Sequence, residues 1–233
     1  ALFIPNTYKF DWHSSIDDFI SKILYNYNQY WNNQDRLIKL NFLNEKWNNV
    51  KLTTIELSIL ASIVYKEAKY ESEYKTIAGL YLNRLNKGIK LQADPTVNYA
   101  FQEEYGFDTT LTRVYNKHLK IDSKYNTYLY QGLPPAPICI PSIQAMDAVL
   151  DAEKHDYLYM CAKAEVDESK KNIYLYGSHT FTQKLSSHNK NANQYQSALN
   201  KITKDNIRFG KGYKRKYTVC YSHYEHENDC LKK

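Results

Sequence analysis

The sequence predicts an α+β fold in which a helical N-terminal half is packed on a small mixed or antiparallel sheet. Three observations lead to this prediction. Apolar residues recur at steps of three and four through much of residues 15–87, the spacing of amphipathic helices. Two segments between residues 156 and 181 are rich in aromatic and β-branched residues, as strands are. Glycine and proline are scarce, at seven and six of 233 residues, so loops do not dominate.

Local signals set the predicted elements. Thr53 and Glu56 form a capping box that starts a helix, and Gly88 is a C-cap that ends the next one. In chain order we predict an extended segment at 1–12, helices at 15–50, 54–70 and 74–87, an extended segment with a proline turn at 91–100, a short helix at 111–119, a proline-rich loop at 126–142, a helix at 142–152, strands at 156–164 and 172–181, and a helix at 181–205.

Composition excludes several classes of protein. With 43% apolar residues the chain can bury a full core, which excludes global disorder. No run approaches the ~18 apolar residues of a membrane helix, and no signal peptide is visible. The net charge of +6 is too mild to indicate a nucleic-acid partner. The 23 tyrosines suit stacking on sugars, although a compositional bias of the genome would look the same.

Glu67 is the most informative residue. It follows Val64, Ile63, Leu60 and Ile59 by three, four, seven and eight positions, so it lies on the apolar face of its helix. Burial there would remove hydration, and we expect desolvation to raise the pKa of Glu67, as a general acid requires. The alternative is that Glu67, in the last turn of the helix, reaches out to water or to a lysine.

Five segments, in this order, carry a resemblance to a known family. They are SILASIVYKEA (58–68), AGLYLNRLNKGIKLQADPTVNYA (78–100), IDSKYNTYLYQGLPPAPI (121–138), HDYLYMCAKA (155–164) and HTFTQKLSSHN (179–189). Over about residues 3–200 the chain resembles the YceG-like family, the MltG-type endolytic murein transglycosylases. The resemblance implies a lead-in segment at 1–50, a YceG-like catalytic core at 51–205 and a basic tail bearing Cys and His at 206–233.

The resemblance implies a lytic reaction on peptidoglycan. The β-1,4 bond between MurNAc and GlcNAc is cut without water, leaving 1,6-anhydro-MurNAc ends, with Glu67 as the general acid/base and with no cofactor or metal. Many relatives carry an acidic residue where this chain has Tyr65. Position 65 is rotated about 200° from position 67 on a helix, so we favour Glu67. Two alternatives stay open: an inactive glycan-binding module, and an inverting muramidase that uses Glu67 with Asp94.

Other residues are predicted to bind substrate because amide, hydroxyl and aromatic groups suit N-acetyl sugars. Each could instead brace the loops of the cleft or pack, as a lone histidine often does. The predicted substrate-binding residues are Gln92, Asp94, Thr96, Asn126, Thr127, Tyr128 and His179. Arg84 closes the helix that contains LNRL. It could bind a peptide carboxylate, or it could bond the end of the helix and a neighbouring acid, and we favour the structural role.

The cysteines and the basic tail allow more than one reading. Cys139 and Cys161 lie in apolar surroundings and are predicted to be buried thiols. Cys220 and Cys230 are expected to form a disulfide in an extracytoplasmic compartment, with a zinc site or free thiols as alternatives. The run KGYKRK (211–216) is expected to be solvated.

The resemblance also implies partners and a location. Peptidoglycan glycan strands are the substrate, the cell-wall synthesis machinery is a candidate partner, and nucleic acid is not a partner. The family's proteins are held in the cytoplasmic (inner) membrane by an N-terminal helix, with the catalytic domain on the periplasmic or extracytoplasmic side. We expect such an anchor in the full-length protein and find none in this chain.

Overall fold

The structure is a computed structural model that describes residues 2–33, 35–111, 113–208 and 218–221. The predicted α+β class is confirmed. The chain divides into two compact units, Ala1–His155 and Asp156–Lys233, and each is described by itself. The predicted division at 50/51 and 205/206 stays a prediction, because compactness alone divides the chain elsewhere. None of the described helices combines the length and apolarity needed to cross a membrane.

Unit 1 is helical in the described residues. Its α-helices are α1 (Ile16–Asn32), α2 (Arg36–Lys46), α3 (Thr54–Glu67), α4 (Tyr74–Asn86), α5 (Asp94–Tyr105) and α6 (Ile143–Leu150), with 3-10 turns at Glu71–Glu73 and His118–Lys120. The predicted helix at 15–50 is in fact two helices. Asp35 between them has a left-handed φ of 54°, which ends α1 and redirects the chain.

Helix α3 is the centre of unit 1. The predicted capping box is present, since the N–H of Glu56 donates to Thr53 Oγ1 at 3.2 Å and the N–H of Thr53 donates to Glu56 Oε2 at 2.8 Å. Every residue from Leu57 to Val64 is buried, so the helix has more than the single apolar stripe that was predicted. It packs against α4, α5 and α6. The middle of α3 is therefore packed on all sides, which restricts the position of the turn that follows it and ends at Glu67.

The segment around Asp94 was predicted wrongly as extended. It is the start of α5, with Pro95 in the first turn. Proline fits there because the first N–H groups of a helix need no intrahelical acceptor, and an acidic residue at this end is favoured by the helix dipole. The short helix predicted at 111–119 reduces to the 3-10 turn at His118–Lys120. The loop predicted before Ser142 is present, and Ser142 caps α6 as predicted.

Unit 2 contains the predicted hairpin. Strand β1 (Tyr159–Asp167) pairs antiparallel with β2 (Asn172–Thr182), and β3 (Thr218–Tyr221) runs parallel to β2 in the order β1-β2-β3. The sheet is therefore mixed. Helix α7 (Leu185–Arg208) packs on β1 and β2 around a small apolar core. Its predicted span of 181–205 is close to the observed one.

Candidate active site

Glu67 is the last residue of α3. The side chain is half-buried, and its Oε2 atom is shielded from solvent. Tyr65, two residues earlier, is 38% exposed and its ring contacts that of Tyr74 edge-on at 6.5 Å. The two positions therefore have different surroundings, as their rotation about the helix axis predicts. Tyr65 therefore does not belong to the group of side chains around Glu67.

Tyr81 on α4 is a neighbour of Glu67. Its ring is 1% exposed, and its hydroxyl lies close enough to the Glu67 side chain to interact with the charge of that carboxyl group. Burial, and next the negative charge of Glu67, raise the pKa of Tyr81 well above its ordinary value. The phenol of Tyr81 therefore stays protonated.

Asp94 and Tyr128 form a second pair beside this one. The hydroxyl of Tyr128 donates to Asp94 Oδ1 at 2.7 Å. Burial raises the pKa of Tyr128, followed by the charges of Asp94 and then of Glu67. Because charges act appreciably only at short range in a protein, both carboxylates lie near the same phenol. The end of α3, the start of α5 and the turn around Tyr128 thus meet at one place.

Arg84 brings a positive charge to the same place. It is 7% exposed, and its charge lowers the pKa values of Tyr81 and Tyr128 against the larger upward effects. Its Nε donates to the carbonyl of Lys90 at 3.0 Å and its Nη2 to Gln92 Oε1 at 2.6 Å. The cation is therefore tied to the backbone and side chain of the segment that leads to Asp94.

Three of the predicted substrate contacts are buried. Thr96, Asn126 and Thr127 are at most 1% exposed. The hydroxyls of Thr96 and Thr127 lie 2.8 Å apart, and the N–H of Ala93 donates to Thr127 Oγ1 at 3.0 Å. Of the two alternatives, contact with substrate or bracing of loops, this geometry favours bracing. The bond between the two threonines ties the start of α5 to the Tyr128 turn.

Asn126 braces the turn itself. Its Nδ2 donates to the carbonyls of Leu119 and Ile121 at 3.1 and 2.8 Å, and its Oδ1 accepts from the N–H of Tyr128 at 3.0 Å. Every polar atom of the amide is thus used inside the protein. Gln92 and Asp94 remain exposed, and Tyr128 is half-buried, so these three residues are accessible to a ligand.

The remaining predicted features lie elsewhere. Leu133–Pro135 of the GLPP loop lines a cavity of about 480 Å³ with Ile55 and Ile59, toward the other end of α3 from Glu67. His179 lies on β2 in unit 2, opposite Ala162, with its ring 6.2 Å from that of Phe181. Its role as a substrate contact stays a prediction.

The cysteines and the candidate metal ligands were considered separately in the sequence, and the structure describes only some of them. Cys139 and Cys161 are free and only partly buried, and burial raises the pKa of each thiol. The Cys220–Cys230 disulfide, its zinc alternative and the KGYKRK run fall outside the residues and side chains that the structure describes. Within the described ranges, no three His, Cys, Asp or Glu residues converge as metal ligands would.

Two of the side chains near Glu67, Asp94 and Tyr128 were not predicted from the sequence to belong to the site. Tyr81 was not singled out, and a structural role was favoured for Arg84. The available signal was their spacing: they are three residues apart on α4 and so share a face. A buried hydroxyl and a buried guanidinium on one face of an otherwise apolar helix indicate a polar neighbour.

Comparison with known proteins assigns the family. The profile of the YceG-like family matches residues 1–194. The chain belongs to the YceG-like family. An endolytic murein transglycosylase of Bacillus subtilis is 34% identical over 197 residues, which are 84% of this chain and 48% of that protein. One of Streptococcus pneumoniae strain R6 is 33% identical over 166 residues, or 71% of this chain and 28% of that protein.

A solved structure agrees with the family assignment. The crystal structure of a YceG-like protein from Listeria monocytogenes superposes with a TM-score of 0.60 and 31% identity. The match covers 81% of this chain and 53% of that one. The chain thus spans about half the length of the Bacillus relative and less of the streptococcal one.

Proposed function

We propose that this chain is the catalytic part of an endolytic murein transglycosylase that cleaves the MurNAc–GlcNAc β-1,4 bond. The observation that carries the proposal is the grouping of Glu67 with Tyr81, Asp94 and Tyr128 at one end of a buried helix. A carboxyl group held by protein groups, with a second carboxylate nearby, is what glycosidic cleavage needs. The names of its relatives support murein as the substrate.

Glu67 acts first as the acid. Its proton passes to the glycosidic oxygen while the bond from that oxygen to C1 of MurNAc breaks, and positive charge develops on the sugar ring. The GlcNAc product leaves with a hydroxyl group. Glu67 is then a carboxylate, and the hydroxyl of Tyr81 donates a hydrogen bond to it.

Glu67 then acts as the base. It takes the proton from the C6 hydroxyl of the same MurNAc, and O6 forms a bond to C1, which closes the 1,6-anhydro ring. Glu67 regains its proton, so one carboxyl group serves both steps and no water is consumed. Asp94, held by Tyr128, lies where its negative charge would stabilise the positively charged ring.

The predicted binding residues divide by their exposure. Gln92, Asp94 and Tyr128 contact the sugars, whereas Thr96, Asn126 and Thr127 hold those residues in place. His179 is an additional substrate contact in this proposal, supported by the family's sequence pattern alone. The reaction needs no cofactor.

The location follows from the substrate. We infer that the protein works in the cell envelope, held in the cytoplasmic membrane with this domain on its outer side, and that it meets the cell-wall synthesis machinery there. Fractionation of cells that produce the full-length protein tests the location. Recovery of the protein with the cytosol would contradict it.

The test of the activity is the release of anhydro ends from purified murein strands, quantified by mass spectrometry. The wild-type protein should produce them and Glu67→Gln should not. Glu71→Gln is the matched control, because Glu71 lies four residues further on in a 3-10 turn and is exposed. Binding of strands by the wild-type protein without any product would identify an inactive glycan-binding module instead.

A specific observation keeps the inverting muramidase as a second candidate: both carboxylates act on Tyr128. That enzyme would use Asp94 to activate water and would leave reducing ends, heavier by one water than anhydro ends. Asp94→Asn should then abolish all cleavage. In the lytic reaction the same variant loses rate but still produces anhydro ends.

A further inference from the structure

Gln92 has an unusual backbone conformation for its residue type. Its φ is 51°, in the left-handed region that a residue with a Cβ rarely adopts, and its side chain is exposed. Such conformations persist only where surrounding bonds hold them, and they cluster at ligand sites. Here the N–H of Gln92 donates to the carbonyl of Thr127 at 3.2 Å, and Arg84 binds the side chain.

Arg84 fixes which way the Gln92 amide faces. A guanidinium group carries hydrogen-bond donors only, so the atom 2.6 Å from Arg84 Nη2 is the amide oxygen. The amide NH₂ group therefore points away from Arg84. Among the residues that the structure describes, no acceptor takes a hydrogen bond from it. Arg84 is itself buried and bonded to the carbonyl of Lys90, so it is a rigid support.

The charges nearby indicate which ligand group this donor takes. Gln92 is two residues from Asp94. The charges of Arg84 and Glu67 both act on Tyr81 and Tyr128, and the charge of Asp94 acts on Tyr128. An anionic ligand group would be repelled by these two carboxylates, whereas a neutral carbonyl oxygen would not. The acetamido carbonyl of an N-acetyl sugar has this chemistry.

We propose that the NH₂ group of Gln92 donates a hydrogen bond to the acetamido carbonyl of the N-acetyl sugar in the cleft, and that Arg84 is the positioning residue that orients it. The inference rests on the proposed function and adds a specificity: this site distinguishes N-acetylated from de-N-acetylated glycan. Lysine could not replace Arg84, because a single ammonium group lacks the planar fork that holds both Lys90 and Gln92.

The test compares N-acetylated murein strands with chemically de-N-acetylated ones. The change is Gln92→Gly, because glycine adopts the left-handed conformation without strain and only the amide is lost. The preference of kcat/KM for the acetylated strands over the de-N-acetylated ones should fall about tenfold, because only the acetylated strands lose a hydrogen bond. Gln131→Ala is the matched control, since the exposed Gln131 turns its amide to the carbonyl of Gly88.

Arg84→Lys tests the positioning role. It should reduce the same preference and raise KM for acetylated strands more than it lowers kcat. A preference equal to that of the wild-type protein in Gln92→Gly would overturn the inference, whether or not Arg84→Lys folds.

A binding measurement separates this inference from the proposed function. In the Glu67→Gln background, which cannot turn substrate over, affinity for the two kinds of strand is compared with and without Gln92→Gly. A loss of preference there supports the inference even if no anhydro product forms with the wild-type protein. Equal affinities in all cases contradict it, even if anhydro product does form.

Discussion

Helix α3 carries a glutamate near each end, and the two have opposite surroundings. Glu56, in the first turn, accepts hydrogen bonds from the N–H and the hydroxyl of Thr53 at 2.8 and 2.9 Å. Glu67, the last residue, lies near Tyr81 from another helix and near Tyr128 from a distant turn. A carboxylate that caps its own helix, such as Glu56, is held by neighbours in sequence. A carboxylate surrounded by side chains from several elements, such as Glu67, is positioned for a role outside its helix.

The largest expected effect separates the two glutamates. Glu67→Gln should lower the rate of cleavage by about 10²–10⁴-fold, the usual contribution of a general acid/base, with little change in stability. Glu56→Gln should keep activity and lose about 0.5–1 kcal/mol of stability, because it weakens the capping box. Steady-state kinetics and urea unfolding of both variants measure this. Equal losses of activity would remove the distinction.

Asn126, which is buried and braces the turn around Tyr128, should contribute more to stability than to direct binding of glycan. Asn126→Ala leaves two carbonyls and one N–H without their partner, which should lower the free energy of unfolding by about 1–3 kcal/mol. Asn48→Ala is the control, because Asn48 is exposed. The measurement is urea unfolding. If Asn126→Ala were as stable as the control but unable to bind glycan, Asn126 would be a direct contact after all.

The hydroxyl of Tyr81 should contribute to catalysis at Glu67. Tyr81→Phe removes the hydroxyl near Glu67 that, in the proposed mechanism, donates to the carboxylate formed in the first step. It should lower kcat about tenfold, the worth of one such hydrogen bond. Tyr74→Phe is the control, since Tyr74 is buried on the same helix and contacts the exposed Tyr65. Two variants with the same kcat would mean that the hydroxyl of Tyr81 does not support catalysis.

The last expected effect is a loss of stability in alkali. The pKa values of Tyr81 and Tyr128 are raised in the folded protein, so both stay protonated above pH ~10, where an unfolded tyrosine ionises. Stability is therefore complete below pH ~10 and falls as pH rises toward the folded values, by about 1.4 kcal/mol per pH unit for each such tyrosine. Urea unfolding between pH 8 and 11 should show a shallower decline for Tyr81→Phe. An unchanged slope would contradict it.

Local patterns in the sequence were enough for part of this account. The capping box, the helix that ends near Glu67 and the different directions of positions 65 and 67 all follow from spacing along one helix. The hairpin follows likewise from two strand-like segments. Helix α5 did not, because Asp-Pro suits a turn as well as the first turn of a helix, and only its packing against α3 decides.

The site could be predicted only in outline. Asp94 and Tyr128 were singled out, but their hydrogen bond joins residues 34 positions apart, and no local period shows such a contact. The burial of Thr96 and Thr127 likewise depends on two segments meeting. The partnership of Tyr81 with Glu67 depends on how α4 faces the end of α3, so their roles emerged only with the tertiary structure.

The central claim is that Glu67 alone passes a proton to the glycosidic oxygen and then closes the sugar ring. Cleavage of murein strands in water labelled with ¹⁸O, followed by mass spectrometry of the new MurNAc ends, tests it most directly. We expect anhydro ends that contain no ¹⁸O in the wild-type reaction and no new ends with Glu67→Gln. Ends that carry one ¹⁸O would show that water attacks the sugar and would contradict the claim.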